Sequence, residues 1–388
     1  MNIKQLDHEY VANTYSRFPV TLARGKGSVF YDDEGKKYID LGTGIAVNTF
    51  GAADEEWKSA VTAQLDKLQH TSNLYFSQPC VQLAEMLCER TGMKKVFFGN
   101  SGAEANECAI KTARRWAFQK YGDESHSTII TLKSSFHGRT IATLAATGQD
   151  SFHTEFGPFP GGFVYADAHD AADVERLAQE HQCAAVMMEL VQGEGGVNRL
   201  SEEYVSDVVE IAKKYDLLII VDEVQTGNGR TGRLYAYMHY GFMPDIVSTA
   251  KGLAGGLPLG ACMLGEKVKD VLTPGSHGST FGGNPISCAG AVNVLSRIDE
   301  DVLAGVTERS EYIISALTGA KGVKSVSGMG LMLGIECEKP AGEVIAACME
   351  KGVLVISAKT KLRLLPALNI PMDELKEAIE ILKEVLAQ

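Results

Sequence analysis

The alternation of apolar and polar residues predicts a chain that switches between strands and helices along most of its length. Near the start, two short β-prone runs at residues 28–31 and 37–41 flank the turn sequence of residues 32–35 and predict a hairpin. From about residue 54, strand-like apolar runs alternate with helix-like segments. The predicted strands of this region are residues 95–98, 128–132, 184–189, 217–222 and 245–249.

Helical periodicity fills most of the intervals between these strands. It covers residues 55–67 and 81–90, and another helix is predicted to run to about residue 121. The clearest helix spans residues 201–215, with Ser201 as the N-cap, two glutamates in the first turn and two lysines in the last. Val- and Ile-rich strands alternating with helices indicate an α/β fold, with a mostly parallel sheet covered on both faces.

A second region follows the Gly-rich stretch at residues 278–284. Its predicted elements are a helix at 286–298, strands at 331–337 and 353–356, and a C-terminal helix at 373–387 with its apolar residues on one face. We expect this region to join the N-terminal hairpin in a smaller α+β domain built from both chain ends. The predicted domain division is residues 1–50 and 285–388 for the small domain and residues 51–284 for the large one.

Composition and charge exclude several classes of function. The 388 residues carry 37 Lys and Arg against 49 Asp and Glu, a net charge of −12, and the absence of basic runs predicts no nucleic-acid partner. No apolar stretch approaches the roughly 20 residues that cross a bilayer, and the polar N-terminus has no secretory h-region. The sequence therefore predicts a cytoplasmic protein with no membrane association.

The eight cysteines and nine histidines do not predict a metal site. No two cysteines form a C-x-x-C pair, no H-E-x-x-H motif is present, and most cysteines lie in apolar segments. This pattern is typical of reduced, buried thiols. No metal is predicted.

Three predicted strand ends carry candidate chemistry, because ligands of open α/β sheets bind at the carboxyl ends of the strands. Ser101 and Gly102 follow the first strand and begin a helix whose free N–H groups can bind an anion, although a capped helix start needs no ligand. Asp222 ends an apolar strand, where an ionised carboxylate needs a cationic partner. Lys251 follows another, where burial makes an amine nucleophilic; the alternative is a lysine in a surface loop.

Residues 227–232 match the dinucleotide-binding pattern G-x-G-x-x-G. However, residues 222–226 separate the pattern from the apolar part of the strand, no helix-forming run follows it, and no acid ends a next strand about 20 residues on. A nicotinamide-dependent dehydrogenase is therefore only an alternative. A binding protein that keeps the fold without catalysis is another.

Five segments together resemble the class III, pyridoxal-phosphate-dependent aminotransferases. The resemblance extends from about Arg17 to the C-terminal helix, and it implies the fold-type I architecture, pyridoxal 5'-phosphate as cofactor, and a homodimer with shared active sites. The segments are Ser101-Gly102-Ala103, Phe136-His137-Gly138-Arg139, Asp222-Glu223-Val224-Gln225, Lys251, and residues 278–285.

Within this family, residues 13–18, 44–48 and 189–196 resemble the acetylornithine aminotransferases. That resemblance implies transfer of the δ-amino group of N2-acetyl-L-ornithine to 2-oxoglutarate, giving N-acetyl-L-glutamate 5-semialdehyde and L-glutamate in arginine biosynthesis. Succinylornithine, ornithine and 4-aminobutyrate remain alternative donors. The chain departs from the family after Gly51, where Ala52-Ala53-Asp54 stands in place of the usual histidines.

The resemblance also implies a role for each matching residue at the cofactor. Lys251 bonds to the cofactor aldehyde and later moves a proton, while Asp222 pairs with the pyridine nitrogen. The remaining cofactor contacts are the phosphate-binding Ser101, Gly102 and Ala103, Thr280 from the other subunit on the same phosphate, Phe136 stacked on the ring, and Gln225 at its phenolic oxygen.

Four further residues are implied to bind substrate. Arg139 grips a carboxylate, and Ser279 contacts substrate across the interface. Arg363 receives the α-carboxylate of glutamate or 2-oxoglutarate, with Glu194 masking its charge between the two half-reactions. A purely structural ion pair between Glu194 and Arg363 is the alternative.

Overall fold

The computed structural model describes residues 2–388. Three 3-10 turns, at Asp150–Phe152, Ala236–His239 and Lys251–Ala254, accompany its helices. The helices in this part of the chain are α1 (Ile3–Tyr10), α2 (Thr43–Ala46), α3 (Glu55–Leu65), α4 (Gln78–Thr91), α5 (Gly102–Tyr121), α6 (Ile141–Ala146), α7 (Ala171–Glu180), α8 (Glu202–Lys214), α9 (Pro285–Arg297), α10 (Glu300–Leu317), α11 (Ala341–Glu350) and α12 (Met372–Ala387).

The strands form one large sheet and three smaller ones. They are β1 (Leu22–Lys26), β2 (Val29–Asp32), β3 (Lys37–Asp40), β4 (Lys95–Gly99), β5 (Thr128–Leu132), β6 (Phe163–Ala166), β7 (Cys183–Met188), β8 (Val191–Gln192), β9 (Asn198–Arg199), β10 (Leu218–Asp222), β11 (Ile246–Thr249), β12 (Gly260–Leu264), β13 (Val323–Met329), β14 (Met332–Cys337), β15 (Val353–Leu354), β16 (Ile356–Ala358) and β17 (Lys361–Leu364).

The large sheet is the predicted mostly parallel one, with strand order β4-β12-β11-β10-β7-β5-β6. Only β12 runs antiparallel to its two neighbours, so the carboxyl ends of the other six strands share one edge. All five predicted strands are present, and each differs from its prediction by at most one residue at either end. The predicted Ser201 cap is also confirmed, because its Oγ accepts a bond from the Tyr204 N–H at 3.1 Å.

Strands from the two chain ends pair directly. The predicted hairpin is confirmed as β2 and β3, and β15 lies parallel to β3 with Val353 opposite Ile39. A second sheet, β13-β14-β17-β16, shares an apolar core with α10, α11 and α12. The predicted strand at residues 353–356 is divided between β15 and β16, which belong to different sheets.

The core of the large sheet is continuous with the helix after the Gly-rich stretch. Helix α9 packs on α3 and α4 and contributes Cys288 and Leu295 to that core. All eight cysteines are free thiols. No helix within residues 2–388 is both long enough and apolar enough to cross a membrane.

Candidate active site

A cavity of about 560 Å³ opens where the carboxyl ends of β4, β10 and β11 meet. This is the edge of a parallel sheet at which ligands bind. Eight of the predicted site residues line it: Ser101, Gly102, Ala103, Phe136, Arg139, Asp222, Gln225 and Lys251.

The N-terminus of α5 presents free backbone N–H groups to this cavity. Ser101 caps the helix, and its side chain accepts from the Glu104 N–H at 3.2 Å. The next position admits only glycine without rearrangement, because a Cβ on Gly102 would lie 2.6 Å from Cγ1 of Val224. Close packing against the loop after β10 therefore places the positive end of the helix dipole at the cavity, where it can bind an anion.

Asp222 is only 4% exposed, and three hydrogen-bond donors hold its carboxylate in place. Its Oδ2 lies 2.8 Å from both Nδ2 of Asn106 and Nδ1 of His137, and its Oδ1 accepts from the Val224 N–H at 3.0 Å. These donors orient the carboxylate toward the cavity. Because Asn106 is 116 residues distant in sequence, its role was not predicted, whereas His137 belongs to a motif already singled out.

Lys251 begins a tight turn at the end of β11. Its φ of 46° is left-handed, which is uncommon for a residue with a side chain. Burial lowers the pKa of its amine, while the nearby carboxylates of Glu194 and Asp222 raise it and the Arg363 guanidinium lowers it. The net lowering increases the fraction of neutral, nucleophilic amine at a given pH.

Glu194 and Arg363 form the ion pair that the resemblance implied. Nη1 of Arg363 lies 2.6 Å from Oε1 of Glu194 and also donates to Oε1 of Gln225 at 3.1 Å. Arg363 lies on β17 and is 3% exposed. The pair therefore stands behind Gln225, which is itself part of the cavity wall.

Phe136, Arg139 and the buried acid Glu189 also line the cavity. The exposed Arg139 guanidinium lies 4.2 Å from the ring centroid of Phe152 and 5.4 Å from that of Phe136. Glu189 accepts from the Phe136 N–H at 2.8 Å, and burial raises its pKa to about 7. Neither Glu189 nor Tyr15, which reaches the cavity from the N-terminal segment, was predicted as a site residue.

Ser279 and Thr280 lie outside the cavity wall formed by residues 2–388 of one chain. Oγ of Ser279 accepts from Nδ2 of Asn100 at 3.1 Å, and Asn100 does line the cavity. Thr280 is exposed. In a single chain, Thr280 therefore does not line the cavity that the α5 N-terminus faces.

The G-x-G-x-x-G segment is not a dinucleotide site. Residues 227–232 form buried turns, and the next regular element is the 3-10 turn Ala236–His239 rather than a helix. The strand–turn–helix context that binds a pyrophosphate is thus missing. Within residues 2–388, no group of three or more His, Cys, Asp or Glu side chains is placed to hold a metal ion.

The residues around the cavity fit pyridoxal phosphate. The α5 N-terminus suits its phosphate, the fixed carboxylate of Asp222 suits a protonated ring nitrogen, and the buried Lys251 suits its aldehyde.

Comparison with known proteins gives the same assignment over the whole chain. The family model described as aminotransferase class-III matches residues 10–386. An acetylornithine aminotransferase from Haemophilus ducreyi is 49% identical over 100% of this chain and 98% of its own. One from Bacillus subtilis is 43% identical over 96% of this chain and 97% of its own.

Solved structures agree in fold. The N-acetylornithine aminotransferase from Stenotrophomonas maltophilia K279a superposes with a TM-score of 0.86 at 34% identity, covering 99% of this chain and 98% of that one. The ornithine aminotransferase from Toxoplasma gondii ME49 gives 0.95 at 31% identity, covering 99% and 94%. The chain thus has the fold-type I architecture, and it belongs to the class III aminotransferases, which are pyridoxal-phosphate-dependent transaminases.

Proposed function

We propose that this transaminase moves the δ-amino group of N2-acetyl-L-ornithine to 2-oxoglutarate, giving N-acetyl-L-glutamate 5-semialdehyde and L-glutamate in arginine biosynthesis. The main support is the arrangement of a buried amine, Lys251, and a fixed carboxylate, Asp222, in one cavity with a masked arginine, Arg363, behind it. The relatives named above are acetylornithine aminotransferases, which favours this donor.

Pyridoxal phosphate, when bound, supplies an aldehyde that bonds to amines and a ring that accepts the electron pair left when a substrate C–H bond breaks. In this proposal Lys251 would hold the cofactor through its aldehyde, and its amine, when free, would carry the substrate proton at Nζ. Asp222 keeps the ring nitrogen protonated, and Asn106 and His137 keep its carboxylate in place.

The remaining cofactor contacts are proposed in the same way. Backbone groups of Gly102 and Ala103, with Ser101, hold the phosphate at the α5 N-terminus. Phe136 packs on the ring, and Gln225 donates to its phenolic oxygen.

Substrate binding requires one site to accept two differently charged molecules in turn. Arg139 binds the carboxylate of acetylornithine in a bidentate manner, with Ser279 nearby across the interface. While Glu194 pairs with Arg363, the charge of Arg363 is neutralised and is not available to a second carboxylate. When that pair opens, Arg363 receives the α-carboxylate of 2-oxoglutarate.

We further propose a cytoplasmic homodimer in which Thr280 from a second subunit reaches the phosphate. Its exposure outside the cavity of its own chain supports this arrangement, as does the exposure of Phe76 and Phe281 nearby. The free thiols suit a reducing compartment. Pairing of β15 with β3 supports a small domain built from residues 1–50 and the C-terminal part of residues 285–388, whereas α9 (Pro285–Arg297) packs with the large domain of residues 51–284.

The decisive experiment compares half-reactions of the purified holoenzyme with N-acetylornithine, N-succinylornithine, ornithine and 4-aminobutyrate. We expect N-acetylornithine to give the highest kcat/KM, and Lys251→Ala to abolish the reaction with every donor. Arg139→Lys should raise KM for the donors that carry an α-carboxylate. A higher kcat/KM for another donor would reject the proposed substrate, and turnover by Lys251→Ala would reject the mechanism.

A further inference from the structure

One buried polar residue beside the lysine turn has no part in the function proposed so far. Asn228 lies in the loop of residues 227–232, is 3% exposed and has a φ of 59°. Its Nδ2 donates to Oγ1 of Thr249 and to the carbonyl oxygen of Ala250, each at 3.1 Å. The side chain thus binds the carbonyl immediately before Lys251.

A second buried side chain binds the carbonyl immediately after Lys251. Thr49, from the N-terminal part of the chain and 2% exposed, donates its hydroxyl to the carbonyl oxygen of Gly252 at 2.7 Å. Two side chains, separated by 179 residues in sequence, therefore form hydrogen bonds on both sides of Lys251, in the turn of residues 250–252.

The turn needs such support because its backbone is strained. Lys251 has a φ of 46°, and Ala250 is extended with φ −166° and ψ −139°. Left-handed backbone at a residue with a Cβ costs energy and persists only where the surroundings fix it. If the turn relaxed, the Lys251 side chain would leave Cα in another direction.

From this geometry we infer that Asn228 and Thr49 are positioning residues that fix the direction in which Lys251 presents its amine to the cavity. The inference rests on the proposed role of Lys251. It also explains why an amide occupies position 228. Glycine would adopt the positive φ and would not bury Oδ1 of Asn228, which has no hydrogen-bond partner. However, glycine could not form the two hydrogen bonds that Nδ2 donates.

Three substitutions separate this role from simple packing. Thr49→Val removes the hydroxyl at nearly constant shape, Thr49→Ser keeps it as the matched control, and Asn228→Gly removes the amide while tolerating the φ of 59°. Each holoenzyme is assayed with N-acetylornithine in single turnover, with rates normalised to the bound cofactor. Hydrogen–deuterium exchange is then measured with and without cofactor, using the Leu253 amide as reporter because it donates to the Ala250 carbonyl at 2.9 Å.

We expect Thr49→Val and Asn228→Gly to lower the single-turnover rate by about tenfold or more, since misplacing a reacting group by about 1 Å can cost about a hundredfold. Substrate KM should change by less than about threefold. Exchange at Leu253 should accelerate with and without cofactor while the β7 and β10 amides keep wild-type protection. Thr49→Ser should behave as wild type.

Two results would overturn the inference: wild-type rates and Leu253 exchange in both variants, or faster exchange that extends through β7 and β10, which would mark general destabilisation. If Thr49→Val does not fold, the result with Asn228→Gly alone decides whether the inference stands. Failure of the proposed function looks different, because Lys251→Ala would then keep its activity. The exchange measurement on the cofactor-free protein tests the positioning role whether or not Lys251→Ala keeps its activity.

Discussion

At the scale of single residues, the amine of Lys251 is controlled by charges on three different elements. Burial lowers its pKa, and the carboxylates of Glu194 and Asp222 act against that lowering. Arg363, which bonds to Glu194, contributes a small lowering of its own. The Glu194–Arg363 pair therefore adjusts the amine as well as the carboxylate pocket, and any change in the pair should be visible at Lys251.

Glu194→Gln tests this coupling. The substitution removes a negative charge that raises the pKa of Lys251 and leaves the opposing charge of Arg363 in place, so that pKa should shift downward. The cofactor-free protein captures pyridoxal phosphate covalently through the neutral amine, so the capture rate falls as pH is lowered. In Glu194→Gln this fall should begin at a lower pH than in wild type. Absorbance stopped flow over a series of pH values below 10.5, the ordinary lysine pKa, measures this rate. An unchanged or upward-shifted profile in Glu194→Gln, with the exposed Glu210→Gln as control, would contradict the coupling.

At the scale of elements, the central strands and the chemical groups at their ends could be predicted from the sequence. β10 and β11 are short apolar, mostly β-branched runs that end at Asp222 and just before Lys251, so both the strands and these candidate site residues could be predicted. β12 escaped prediction because Gly260–Leu264 is made mostly of small or unbranched residues. It also runs antiparallel, which no local pattern reveals.

The supporting residues of the site were missed for a different reason. Asn106, Asn228 and Thr49 act through partners that lie far away in sequence, and each pairing exists only once the order of the sheet is fixed. Taken singly, each polar residue is compatible with a cap, a turn or an exposed position. Three-dimensional proximity, which the periodicity of the chain does not encode, gives them their function.

Helix α5 allows a test of the phosphate site at the same scale. In Gly102→Ala the new Cβ would lie 2.6 Å from Val224 Cγ1, so the helix start or the loop after Asp222 must move. Overpacking of this kind costs about 1–3 kcal/mol, and we expect pyridoxal phosphate to bind at least roughly tenfold more weakly. Gly342→Ala in the first turn of α11, where a Cβ meets nothing within 4 Å, is the matched control. Equal cofactor affinity of the two variants by equilibrium dialysis would contradict this assignment.

For the molecule as a whole, two buried acids link stability to pH. Burial raises the pKa of Glu223 to about 7 from a value of 4.5, and that of Glu189 to about 7. The folded chain therefore holds protons that the unfolded chain releases between these pH values, so the free energy of unfolding falls as pH rises from about 4.5 to 7. Each group contributes up to about 3 kcal/mol of this fall.

Glu223→Gln should flatten that dependence. Oε1 of Glu223 accepts from the Tyr237 N–H at 2.8 Å and Oε2 from the Thr226 hydroxyl at 2.5 Å. A glutamine can still accept from Tyr237 with its amide oxygen and can donate its NH2 to the Thr226 hydroxyl oxygen, and it does not titrate. Relative to wild type, the variant should become more stable as pH rises from 5 to 8, read as the difference in urea midpoints. Parallel midpoints at all pH values would show that Glu223 does not titrate in this range.

The surface near the active site carries the apolar residues that a subunit interface needs. Leu74, Tyr75 and Phe76 are 87%, 71% and 102% exposed, and Phe281 is 61% exposed. The two segments are tied together, because Nδ2 of Asn73 donates to the carbonyl oxygens of Ser279 and Gly282. Such a contiguous patch typically marks an interaction site, and this one flanks Thr280.

Mixing two inactive variants tests whether that surface brings two chains into one active site. Lys251→Ala lacks the amine and Thr280→Ala lacks the phosphate contact that we assign to the opposite subunit. A mixed dimer contains one site with an intact Lys251 and an intact Thr280 from the other chain. Random reassociation makes half of the dimers mixed, so about a quarter of all sites should regain wild-type single-turnover rates. If activity instead stays at the average of the two separate variants, Thr280 acts within its own chain.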